Sequence, residues 1–135
     1  ELVGVAVDNE RGRVVGGEWS RFGIKLKMPV THVGALHHRS LFDSSGQFDE
    51  SYRIAGDFEF LLRAAQEVRG AFVPEVVVIM EDGGVSNRSL NVVRQEGFRA
   101  LRDSAVAGPA WAWFFVMHWW ARRIVRSLRG ALSWR

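Results

Sequence analysis

One acid in this chain stands where an acid can do chemistry. Asp57 opens a run in which Phe58, Leu61, Leu62, Ala65 and Val68 recur on one face of a 3.6-residue period. That spacing predicts an amphipathic helix over residues 57–69. Gly70 follows at the place where a helix C-terminus favours a residue tolerant of positive φ. A carboxylate at the head of a helix has two uses. It can accept backbone N–H groups as a cap, or it can face a cleft and remove a proton from a substrate. Periodicity alone leaves both open.

Three further groups carry candidate chemistry. Asp49 and Glu50 follow Phe48 in a turn, where an Asp side chain commonly bonds the turn backbone. His32, His37 and His38 invite a metal reading. If residues 29–38 form a strand, alternation places His32 and His38 on one face and His37 on the other. Two side chains six residues apart on a strand stand about 20 Å apart, too far to share one ion. His32 is therefore a site-lining or hydrogen-bonded histidine before it is a ligand. Gly83-Gly84-Val85-Ser86 precedes an expected helix, a place where backbone N–H groups can receive an anion or simply turn the chain.

The elements that must hold these residues follow from shorter signals. Leu2–Asp8 and Arg13–Val15 are apolar runs around the polar turn Asn9–Gly12, which predicts a hairpin. Gly16-Gly17 ends or bulges the second strand. Residues 18–27 give no clear pattern. Arg39–Ser45 reads as a short helix stopped at Gly46. Val76–Ile79 is β-branched throughout and reads as a buried strand, with Pro74 at its start or on an edge. Ser86 or Asn87 is placed to cap a helix bearing Leu90, Val93, Phe98 and Leu101, weakened by Gly97. Gly108-Pro109 breaks the chain before a last helix over Ala110–Leu128. The order of strands and helices predicts α/β, or α+β if the chain is a fragment.

The segments Pro29–Phe42, Gly46–Arg63 and Gly83–Ser86 together resemble family 2 glycosyltransferases. The resemblance rests on Pro29, His32, Arg39, Gly46, Phe48, Asp49, Glu50, Asp57, Phe58 and Arg63. It implies the C-terminal, acceptor-side portion of a GT-A fold, a mixed sheet flanked by helices. It also implies an inverting transfer with Asp57 as general base, and His32, Asp49, Gly83, Gly84 and Ser86 lining the substrate site. Implied partners are a nucleotide-sugar donor and a glycan or lipid-linked acceptor in bacterial envelope synthesis. The implied cofactor is a divalent metal, Mg or Mn. Its Asp-x-Asp motif is missing from this sequence, so both metal and donor are expected on residues upstream. The start, Glu-Leu-Val-Gly-Val, has no initiator Met or leader pattern and is expected to continue a longer chain.

Composition adds bounds. The 135 residues suit one domain, and the absence of cysteine excludes disulfides and thiolate metal sites. Residues 1–103 carry thirteen Lys/Arg and fifteen Asp/Glu, a balance of −2. Residues 104–135 carry five Arg and no acid, a balance of +5. That basic segment also holds Trp111, Trp113, Trp119 and Trp120, followed by Arg122 and Arg123. The apolar block 109–121 makes a helix of about 20 Å, too short to span a bilayer. Trp beside Arg suits a helix lying in the membrane interface, on the cytoplasmic face if the resemblance holds. Nucleic acid fits poorly, because the aromatics form one block instead of spacing along a basic groove. An oligomer is left open. Two units are expected, 1–107 as the transferase portion and 108–135 as an amphipathic helix. The rival is a non-catalytic module that docks on a membrane or partner through the tail, with Asp57 as a cap.

Overall fold

A computed structural model of the chain describes residues 2–9, 14–80 and 84–132. Strand β1 (Leu2–Asn9) is the centre of a small mixed sheet. On one edge it pairs antiparallel with β3 (Ala35–His37) through Leu2, Val3 and Gly4, and with β2 (Val14–Val15) through Val7 and Asp8. The expected hairpin is present, although its turn at 10–13 lies outside the described residues. On the other edge β1 runs parallel to β4 (Gly70–Met80).

β4 differs from the expected buried strand. Val76 is 47% exposed and Ile79 79% exposed. Among the described residues no strand pairs with its far side. The register slips between Val5↔Val73 and Ala6↔Val76, so Pro74 falls in the irregularity of an edge strand. Proline has no N–H to give a ladder, and that is where a sheet tolerates it.

Among the described residues five α-helices complete the fold. α1 (Arg39–Ser45) ends as expected at Gly46, whose φ of 79° is open to glycine. α2 (Gly56–Arg63) is shorter than its periodicity suggests, and residues 64–67 continue only as turns. Gly70 therefore closes no helix. It begins β4, and a Cβ there would collide with Cβ and Cγ of Trp19. The apolar period past Arg63 is still used, because Ala64, Ala65 and Val68 enter the core from the turn.

α3 (Val85–Arg88) is a single turn, and α4 (Leu90–Asp103) starts only after Ser89. Ser86 thus lies inside α3 and caps nothing, contrary to the expectation for a helix beginning there. α5 (Gly108–Leu132) has 25 residues and is about 37 Å long.

The core lies among α2, α4 and the start of α5. Phe60, Leu61, Leu62, Leu101 and Ala112 are essentially inaccessible there, joined by Ile24 from a 3-10 turn over Gly23–Lys25. Each of the large side chains contributes about 1.5–3 kcal/mol by burial. Gly97 belongs to this packing. The Phe115 ring comes to 3.4 Å from where its Cβ would be, so α5 seats on α4 at a residue without a side chain.

Candidate functional site

The head of α2 is held by a residue far away in sequence. Glu96 on α4 accepts the backbone N–H of Arg53 at 2.8 Å through Oε1, and those of Ile54 and Ala55 at 2.9 and 2.8 Å through Oε2. Burial raises the Glu96 pKa, but the three amides and the Arg99 charge outweigh it and hold the carboxyl below its ordinary value. One turn further along α4, Arg99 stacks on Tyr52 with its guanidinium 3.6 Å from the ring centroid, and donates to Ser51 O and Oγ at 3.1 Å. Arg63 grips the other side of the segment. It donates to the Ser45 carbonyl and, at 2.8 Å, to the Gln47 carbonyl, while pairing with Glu59 at 2.9 Å.

Asp57 is consequently not the N-cap. That position is Ala55, with no side-chain cap bond. Asp57 stands two residues inside, and its two oxygens have different surroundings. Oδ1 accepts the Phe58 N–H at 2.8 Å. Oδ2 points toward Nδ1 of His32 at 4.0 Å, longer than a hydrogen bond.

His32 corrects the strand reading. It opens a 3-10 turn over His32–Gly34, and β3 begins only at Ala35. The turn removes the alternation, so His32 and His37 come together with ring centroids 6.1 Å apart. His38 goes elsewhere and caps α1, its Nδ1 accepting the Ser40 N–H at 3.3 Å. Behind His37 is an aromatic cluster. Phe42 and Phe60 each meet its ring edge-on at 5.9 Å, and Phe48 lies edge-on to His32 at 6.2 Å. Burial, then the neighbouring His32, push the His37 pKa below its ordinary 6.5, against a smaller opposite pull from Asp57.

His32 and Asp57 lie on the wall between two clefts. A cleft of about 310 Å³ opens toward Phe48, Asp49, Glu50, Tyr52 and Arg53. A cleft of about 830 Å³ opens on the other side toward Met28, Phe58, Val85, Ser86 and Phe115. Asp49 is turned to its own backbone, as expected of an Asp in a turn. Its Oδ1 accepts the Ser51 N–H at 2.9 Å, and the Ser51 hydrogen bonds lower its pKa. Gly84 is exposed at the start of α3, and Gly83 lies outside the described residues. Among the described residues, no group of three or more His, Cys, Asp or Glu side chains is arranged to hold a metal ion.

Comparison with protein-family models, curated proteins and solved structures finds no match to this chain.

The tail tryptophans divide between two surroundings. Trp111 is half-buried, edge-on to Phe22 at 5.5 Å, and Trp119 lies between Arg94 at 4.9 Å and Arg123 at 5.5 Å. Trp113 and Trp120 face outward at 62% and 47% exposure, with Met117 at 71% and Ile124 at 56%. Positions 113, 117, 120 and 124 share one helical stripe. Arg122 and Arg123 are exposed beside it. No helix among the described residues is long and apolar enough to cross a membrane.

Glu96, Arg99 and Tyr52 are absent from the sequence expectations. Glu96 meets its partners across 41 to 43 residues, and no local spacing reports such a contact.

Two outcomes follow from this geometry. Glu96→Ala leaves three amides without their acceptor and costs roughly 2–3 kcal/mol in urea unfolding, the scale of a charged hydrogen bond lost from partly buried donors; Glu96→Gln costs less. An Ala variant as stable as wild type would remove Glu96 from its place as anchor. For His37, a lowered folded pKa means the unfolded chain takes the proton first. Its contribution is complete above about pH 6.5 and is lost as pH falls below it. His37→Phe retains the ring contacts and flattens the drop in unfolding midpoint between about pH 7 and pH 5.5. Equal drops in both proteins would exclude His37 as the cause.

Proposed function

We propose that this chain is the acceptor-side portion of an inverting, nucleotide-sugar-dependent glycosyltransferase of the family 2, GT-A type. The reading draws on the resemblance of Pro29–Phe42 and Gly46–Arg63. The observation that carries it is the division of labour between two acids. Glu96 secures the backbone leading into α2, so Asp57 has one oxygen facing open clefts.

In the proposed step, an acceptor hydroxyl lies against Asp57 Oδ2. Its oxygen bonds to the anomeric carbon of the donor sugar while the bond from that carbon to the nucleoside diphosphate breaks. The proton goes to Asp57, and the diphosphate leaves from the opposite face of the sugar. A sugar hydroxyl is a poor nucleophile at neutral pH, and a positioned base supplies on the order of 10²–10⁴-fold. His32, beside Oδ2 and half exposed, orients the carboxylate or the acceptor. Donor binding belongs in this proposal to residues outside the chain. The Mg or Mn ion of such transferases has no ligand set among the described residues, so no step here passes through it.

The rival reading, a binding module with Asp57 as a structural residue, is favoured by the Asp57 Oδ1 bond to the Phe58 N–H. Both readings accommodate a peripheral membrane contact through α5, on the cytoplasmic face in the transferase reading. The exposed Trp113, Met117, Trp120 and Ile124 stripe and the excess of Arg support that contact.

Asp57→Asn discriminates between them. Asn preserves an oxygen for the Phe58 N–H but removes the base. In the full-length protein, transfer to acceptor is expected to drop about 10²–10⁴-fold, with the unfolding midpoint nearly unchanged. Retained transfer would defeat the base assignment. For the tail, the 135-residue chain is expected to co-sediment with vesicles containing anionic lipid, and Trp113→Ser with Trp120→Ser to weaken that binding several-fold. Undiminished binding by the double variant would sink the α5 contact.

A further inference from the structure

A further cleft lies where the 3-10 turn over Gly23–Lys25 meets α5. It measures about 240 Å³ and is lined by Lys25, Leu26, Phe114, Phe115 and His118. Its rings are held by other rings. Trp111 meets Phe114 edge-on at 5.5 Å, and Phe114 stacks on His118 at 6.2 Å. Such walls receive a flat apolar group by stacking or edge contact. The volume is just below that of sites for drug-sized ligands, so it suits one ring with a short arm and not a long chain.

Lys25 brings a full charge into this apolar lining. Its Nζ stands 5.6 Å from the Trp111 ring centroid and 5.9 Å from that of Phe22, so two rings attract it. Among the described residues it makes no ion pair. The sequence explains why. Both walls come from stretches without an acid, because residues 19–42 and residues 104–135 contain neither Asp nor Glu. A half-buried ammonium gains from a counter-charge, and the two segments that build this cleft have none to give.

We propose that this cleft binds a small aromatic carboxylate, its ring against Leu26, Phe114 and Phe115 and its carboxylate on Lys25 Nζ. The single ammonium matches one negative charge, which favours a carboxylate over a phosphate dianion. A neutral ring would leave the ammonium unpaired among apolar walls. The site does not rest on the transferase reading, since neither Asp57 nor His32 stands in its lining.

The 135-residue chain is titrated in a calorimeter with phenylpropionate, the matching alcohol phenylpropanol, and cyclohexylpropionate. The aromatic acid is expected to bind about ten-fold tighter than the alcohol, the scale of one hydrogen bond to a charged group. It also binds tighter than the saturated-ring acid. Lys25→Met keeps the apolar stem and removes the charge, so it brings the acid to the level of the alcohol and leaves the alcohol unchanged. Phe114→Ala, at a position 50% exposed, weakens both several-fold. Leu26 and Phe115 also line the larger cleft beside Asp57, so Val33→Asp, in the lining of that cleft alone, distinguishes the two and leaves binding intact. Trp113→Ser on the outward stripe of α5 leaves it intact as well. Equal affinity for acid and alcohol overturns the proposal, and so does full acid binding by Lys25→Met. Tighter binding of the saturated acid refutes the aromatic assignment. Loss in Val33→Asp with none in Phe114→Ala moves the ligand to the larger cleft and refutes this site. The three ligands on wild type decide the matter if the variants fail to fold.

Discussion

The Glu96 carboxylate on the amides of Arg53, Ile54 and Ala55 is the interaction on which the arrangement of this molecule depends. Those amides belong to the three residues that lead into α2, and one carboxylate is the acceptor all three share. A partly buried N–H left without an acceptor costs the desolvation of that group. The N-cap itself is Ala55, whose side chain makes no cap bond, and inside the helix the Phe58 N–H is taken by Asp57. The acid from α4 therefore secures the approach to the helix. The consequence is structural as well as energetic. α2 is fixed to α4 at its first residues, and Arg99 fixes the preceding turn to the same helix through Ser51 and Tyr52. α4 in turn is held against α5 where Phe115 covers Gly97. The position of Asp57 is thereby tied to the packing of three helices and not to its own loop.

The same anchoring explains why Asp57 has an oxygen to spare. An acid at an N-cap is expected to turn toward the N2 or N3 amide, and its remaining oxygen lies close to the helix end. Asp57 sits inside the first turn, where it meets only the Phe58 N–H. The His32 turn then closes on Oδ2 from a different segment. His37, packed among Phe42 and Phe60, forms the apolar floor under that pair and resists protonation.

Features set by a few neighbouring residues could be read from the sequence. The hairpin of β1 and β2, the span of α1 and its glycine stop, and a long last helix all come from local pattern and backbone sterics. Four features depend on partners distant in sequence and could not. α2 stops at Arg63 although its apolar period runs on, because Ala64, Ala65 and Val68 reach the core equally well from a turn. Gly70 looked like a helix end, yet its missing side chain makes room for Trp19. The β-branched run of β4 suggested a strand buried on both faces, whereas the Pro74 irregularity marks an edge. His32 alternates in sequence with its neighbours, but a 3-10 turn rotates it onto His37. The site was legible at Asp57 and His32 as residue types. Glu96, which decides what Asp57 can do, carried no local signal.

α5 has to satisfy two demands that limit each other. Ala112 is fully buried and Phe115 packs against the core and lines both apolar clefts. Trp113, Met117, Trp120 and Ile124 occupy a different face and remain exposed. Withdrawing the helix to insert it into a bilayer would empty the core at Ala112 and strip the cleft of Phe115, at the cost of several large-to-small core losses at once. Contact through the outward stripe leaves both intact. A membrane met by this helix is therefore met side-on, with the helix lying in the interface.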